Sequence, residues 1–151
     1  MVANEPTADV EAHVDSYFDR YEQPLADLGR AVRAKLRERL PGLNEVVYLY
    51  GNQNAFVISY SPSEHGYEGV LTLRVDPSAV KLYFAKEDGA KAGRYVLLNS
   101  AADLDGGEIE QQIAAAVKRA NVSLDPGTKG SIVIRAESQK KRAERAKAAP
   151  S

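Results

Sequence analysis

Residues 41–60 read PGLNEVVYLYGNQNAFVISY, and the change of period inside this stretch decides the fold. Upstream of it apolar residues recur every three to four positions. Pro41-Gly42 stops that rhythm, and Val, Tyr, Phe and Ile then crowd two short runs, Glu45 to Tyr50 and Ala55 to Tyr60, on either side of Gly51-Asn52-Gln53-Asn54. β-Branched and aromatic residues fit a pleated, half-buried surface, and Gly and Asn supply turn conformations, so the stretch predicts a β-hairpin. Val70 to Val75 and Val80 to Phe84 predict two further strands joined by the tight turn Asp76-Pro77-Ser78, while Pro62 to Gly69 is a longer polar loop. Leu71, Leu73 and Val75 alternate with Thr72 and Arg74, which gives this strand one buried face. Arg94 to Leu98 supplies a fifth strand beyond the loop Lys86 to Gly93.

Working outward towards the N-terminus, Val10, Val14, Tyr17, Phe18 and Tyr21 predict an amphipathic helix from Thr7 to Glu22. Pro24 suits a first helical position, and Leu25, Leu28, Val32, Leu36 and Leu40 carry a second helix to Pro41-Gly42. Towards the C-terminus, Asp105 and Glu108 have the spacing of a helix N-cap, after which Ile109, Ile113, Ala116, Val117 and Ala120 trace one face of a third helix. The run Ile132-Val133-Ile134 follows a turn-rich linker and is expected to dock as a strand. The expected class is therefore α+β: an antiparallel sheet of about five strands packed against an N-terminal helical pair and a C-terminal helix. Residues 5–136 are expected to form one domain, with 137–151 as a basic, mobile tail.

The chain has 151 residues, 44% hydrophobic and 27% charged, which suits one self-sufficient globular domain and disfavours disordered or fibrous classes. It has no Cys, so disulfides, thiolate nucleophiles and thiolate metal sites are excluded. No apolar run approaches a membrane span and the N-terminus lacks the order of a signal peptide, so a soluble cytoplasmic protein without a membrane partner is expected. Glycine-rich phosphate loops and a G-x-S-x-G elbow are absent, and the two histidines, His13 and His65, sit in no ligand or triad motif. These absences favour a non-enzymatic domain that binds a small ligand or a protein.

Charge is segregated although the net charge is only −1. Residues 1–29 carry net −6, residues 30–42 net +4, residues 43–130 net −3 and the last 21 residues net +4. Adjacent segments of opposite sign suggest mutual pairing. Within the acidic segment Glu11, Asp15 and Asp19 are four apart and share one helix face. Like charges at this spacing repel, so the ridge needs either counter-charges, from Arg20, Arg30, Arg33 or Arg37, or a hard cation such as iron, magnesium, manganese or calcium.

A second candidate is the polar and aromatic group Glu45, Tyr48, Tyr50, Asn52 and Asn54 around the first hairpin, which has the composition of a ligand cleft. In a regular strand Glu45 shares a face with Val47 and Leu49, whereas Tyr48 and Tyr50 share the other with Val46, so the five cannot all converge. The tail bases Lys140, Lys141, Arg142, Arg145 and Lys147 have no interleaved aromatics and no recognition helix, which limits them to weak, salt-dependent, nonspecific contact with nucleic acid.

Four segments, in this order, carry a family resemblance: LPGLNEVVYLYGNQNAFVISYSP (40–62), VKLYFAK (80–86), GRYVLLNSAADLDGGEIEQQIAAAVKRA (93–120) and KGSIVIRAESQKKR (129–142). Together they resemble the YdhG-like domains, classed as domain of unknown function (DUF) 1801. The loop between Phe84 and Arg94 is shorter than in relatives with a Gly- and Pro-containing insertion there. The resemblance implies an α+β fold with an antiparallel sheet and, for most members, no established reaction. One branch is similar in shape to frataxin and is proposed as an iron chaperone, which implies iron as the cation for Glu11, Asp15 and Asp19.

Overall fold

Three aromatic residues decide how the N-terminal helices meet the sheet. Tyr17, Phe18 and Tyr21 all pack on Phe56, with ring centroids 5.5, 4.9 and 6.3 Å away. A single straight helix cannot aim all three at one ring, so the helix predicted to reach Glu22 stops earlier. In the computed structural model, which describes residues 8–50, 54–65, 69–84 and 95–136, α1 spans Ala8–Tyr17 and a 3-10 turn covers Phe18–Arg20. Tyr21 then turns extended, and its hydroxyl donates to the carbonyl of Asn54 at 2.9 Å. Helix α2, Gln23–Arg39, starts with Pro24 in its first turn. Gly29 on α2 lies directly over Phe18: a Cβ there would stand 2.6 Å from the ring, so only glycine lets helix and ring approach this closely.

The strands follow as β1 Asn44–Tyr50, β2 Ala55–Ser61, β3 Leu71–Asp76, β4 Ala79–Phe84 and β5 Tyr95–Leu98. After the 3-10 turn Ala101–Asp105 come helix α3, Gly107–Ala120, and strand β6, Ile132–Ala136. The sheet order is β5-β4-β3-β2-β1-β6. All neighbours are antiparallel except β1 and β6, which run parallel. The chain is thus α+β, and its sixth strand is the docked Ile132-Val133-Ile134 segment. The turn at Asp76 forms as expected, with Asp76 Oδ1 accepting from the backbone N–H groups of Ser78 and Ala79.

One sheet face carries the core. The cross-strand rows Val47–Ile58–Leu73–Leu82 and Leu49–Phe56–Val75–Val80 lie beneath Val32 and Leu36 of α2 and Ile113 and Ala116 of α3, and all are buried. Removing such side chains from water stabilises the fold by about 1.5–3 kcal/mol each. The opposite face is mixed: Val46 and Val57 are buried there, Arg74 and Lys81 are cross-strand neighbours that both pair with Asp76, Tyr83 packs on Tyr95 at 5.0 Å, and Tyr95 and Leu97 are exposed.

The start of the third helix is also corrected. Asp105 does not cap α3, whose N-cap position is Gly106; Asp105 closes the preceding 3-10 turn and pairs with Lys35. The capping box lies upstream, between Ser100 and Asp103, because Asp103 accepts from the N–H groups of Asn99 and Ser100 and tightens the chain before the helix begins. The expectations for residues 51–53, the loop 86–93, Arg94 and the tail 137–151 lie outside the described residues.

Candidate functional site

The C-terminal half of α2 places Arg33 and Arg37 one turn apart on the face turned towards α1 and β1. Glu45 is the first core-facing residue of β1 and stands opposite Tyr60 of β2. These four side chains meet. Arg33 donates Nε to Glu45 Oε2 at 3.0 Å and Nη2 to Oε1 at 2.9 Å. The Tyr60 hydroxyl donates to Oε2 at 2.8 Å, and Arg37 Nε approaches Oε1 at 3.3 Å. A carboxylate whose side chain is only 5% exposed therefore accepts two hydrogen bonds on Oε2 and one on Oε1, with the Arg37 charge beside Oε1, which is how a buried charge is tolerated.

The electrostatics fix the protonation states. Burial, followed by the charge and hydrogen bond of Glu45, pushes the Tyr60 phenol well above its ordinary value, so it is a donor and never a base at neutral pH. Burial pulls Arg33 down, but the hydrogen bond and charge of Glu45 outweigh it and hold the guanidinium above its ordinary value. Glu11 of α1 completes the network, accepting from Arg33 Nη2 and Arg37 Nη1, both at 3.2 Å, and from Arg37 Nη2. Its partial burial raises its pKa, yet the Arg37 hydrogen bond and the charges of Arg33, Arg37 and Lys129 lower it on balance.

Above this network opens a pocket of about 400 Å³. Its walls include Glu11, Arg37, Leu43 and Tyr60, and the 126–131 turn closes the far side with Lys129. That turn is pinned at both ends: Asp125 N–H donates to the Pro41 carbonyl at 3.1 Å, and Ser131 N–H to Asn44 Oδ1 at 2.9 Å. Asp125 Oδ1 also accepts from the Gly127 N–H. At Gly130 a Cβ would lie 1.9 Å from the Leu43 carbonyl oxygen, so the turn reaches the sheet only because this residue has no side chain.

Of the residues proposed from sequence, the structure joins Glu45 with Glu11, which no sequence spacing connected, and separates Glu45 from the tyrosines. Tyr48 and Tyr50 are half-buried on the opposite sheet face. Asn54 is exposed at the hairpin with φ 49°, a turn conformation that Asn tolerates. Asn52 lies outside the described residues. Asp15 and Asp19 leave the pocket and both engage Arg30, at 2.9 and 2.6 Å, so the ridge receives its counter-charge from α2. Among the described residues no group of three or more His, Asp or Glu side chains is placed to hold a metal ion.

Tyr60 and the Pro126-Gly127-Thr128-Lys129-Gly130 turn were not legible as site residues. Tyr60 reads as an ordinary strand former, and the turn reads as a basic linker. The usable signals were the basic block at 30–42 and two glycines in a five-residue turn. Among the described residues no helix is long and apolar enough to cross a membrane. No family model, no curated protein and no solved structure matches the chain.

Proposed function

We propose that this chain is a non-enzymatic binding domain of the YdhG-like kind, and that a small polar ligand occupies the pocket between the end of α2, the start of β1 and the 126–131 turn. The observation that carries this reading is the buried, hydrogen-bonded and ion-paired Glu45 carboxylate beneath the pocket. With three hydrogen bonds and the Arg37 ion pair on its two oxygens, Glu45 positions Arg37 and Tyr60 rather than reacting, and it holds them in place before any ligand arrives. Preorganised polar groups in a concave site reduce the ordering cost of binding. The nearby Tyr60 phenol is held protonated and the buried Glu45 carboxylate is engaged by Arg33 and Tyr60, so neither serves as a free base. The order of the four sequence segments supports the family reading.

The test is a nitrogen–proton NMR titration of the full chain with a panel of small polar molecules. Shifts clustered at Leu43, Tyr60 and residues 126–131 support the proposal. A panel without any such cluster, or one whose shifts gather on the opposite sheet face around Tyr95, overturns it.

A further inference from the structure

We infer that the ligand of this pocket carries a carboxylate, and that Glu11 occupies the place of that carboxylate in the ligand-free chain. The inference rests on the pocket reading above and names its ligand class. Its basis is the way Glu11 is held. Arg37 turns the two-nitrogen edge of its guanidinium towards both carboxylate oxygens of Glu11, and Arg33 adds a third donor. A planar fork facing two coplanar oxygens is the recognition geometry of a carboxylate. Glu45 lies on the other side of the same guanidinium, 3.3 Å from Nε, an ion pair that does not involve Glu11.

Three further observations make Glu11 a replaceable occupant. It lines both the 400 Å³ pocket and a second hollow of about 350 Å³ between α1 and α2, so it stands at the boundary of two cavities. It precedes Val14, the first fully buried residue among those described, and its own side chain is 34% exposed, so it can turn out towards solvent. The local charge balance also calls for an anion. Arg33, Arg37 and Lys129 face Glu11 and Glu45, and without Glu11 three cations would face one carboxylate. The rest of the pocket offers Leu40, Leu43 and Pro126 to a compact apolar body.

The experiment compares butyrate, its uncharged isostere butyramide and inorganic phosphate as probes at low ionic strength, by NMR titration of the wild-type chain, Glu11→Ala and Arg37→Lys. Butyrate should bind Glu11→Ala at least about tenfold more tightly than wild type, with shifts at Tyr60 and the 126–131 turn; one lost competing ion pair of about 1.4 kcal/mol corresponds to that factor. Butyramide should show no such gain, and phosphate a smaller one. Arg37→Lys, which keeps the charge but loses the fork, should lose the preference for butyrate over butyramide while its spectrum stays that of a folded chain. Equal butyrate affinity in wild type and Glu11→Ala, or an equal gain for butyramide or phosphate, overturns the carboxylate inference while leaving the pocket reading standing. Absence of pocket shifts with all three probes in every variant overturns both.

Discussion

Arg33 of α2 grips the carboxylate of Glu45 of β1 through two hydrogen bonds of 3.0 and 2.9 Å, and the two side chains are only 7% and 5% exposed. The pair ties the helical layer to the sheet at the edge of the pocket. A buried ion pair is a weak source of net stability, because desolvation offsets the attraction, but breaking it strands a charge. Arg33→Met or Glu45→Leu alone should each destabilise the chain by about 3–5 kcal/mol. The double variant should cost clearly less than the two combined, since no uncompensated Glu45 or Arg33 remains. Urea denaturation of the four proteins measures the coupling; strictly additive losses would show that the pair does not act as a unit.

Gly130→Ala should detach the pocket wall. The added methyl would meet the Leu43 carbonyl at 1.9 Å, too close to be relieved without moving the backbone of the turn. The expected cost is about 1–3 kcal/mol of overpacking, with faster amide exchange at Glu45, whose N–H donates to the Ser131 carbonyl. Gly107→Ala is the control, since a Cβ there meets nothing within 4 Å at the start of α3. That variant should be neutral or more stable by a few tenths of a kcal/mol to about 1 kcal/mol, because alanine restricts the unfolded chain more than glycine does.

Acid should weaken the β3–β4 turn before neutral pH changes matter. Burial alone would raise the Asp76 carboxyl, but the hydroxyl and N–H of Ser78, followed by Arg74 and Lys81, lower it from 3.8 to about 2. A depressed folded-state value contributes stability that is complete above the unfolded value near 3.8 and lost as the pH falls through about 2. At 1.36 kcal/mol per pH unit the contribution is about 2 kcal/mol. Asp76→Asn should therefore be less stable than wild type at pH 7, and the gap should close as the pH falls towards 2. Thermal melts of both proteins between pH 2 and 7 follow it; a gap that stays constant would contradict the assignment.

The elements were legible because their signals are local. Apolar spacing marks the helices, β-branched and aromatic runs mark the strands, and Asp76-Pro77-Ser78 marks its turn through contacts at most three residues apart. The shifted helix ends have causes that periodicity does not report, one a tertiary contact and the other local. Tyr17, Phe18 and Tyr21 bend the chain onto Phe56, and Asp103 forms the capping box upstream of α3. Half of the candidate site was also visible. Alternation along β1 places Glu45 on one face and Tyr48 and Tyr50 on the other, and the acidic and basic segments at 1–29 and 30–42 foreshadow the ion pairs of α1 with α2.

By itself, then, the sequence determined the α+β class, the faces of the strands and the opposite charges that the two N-terminal helices bring together. Only the tertiary structure decided which charges meet. Glu45 draws on Arg33 twelve positions before it and Tyr60 fifteen after it, and Ser131 reaches Asn44 across 87 positions to set β6 parallel to β1 and swing Lys129 over the pocket. Periodicity fixes the face of a side chain within one element, but the meeting of faces depends on how the helical layer and the last strand pack on the sheet. That packing is governed by the Phe56 cluster and by close approaches at Gly29 and Gly130, whose distances no spacing along the chain encodes.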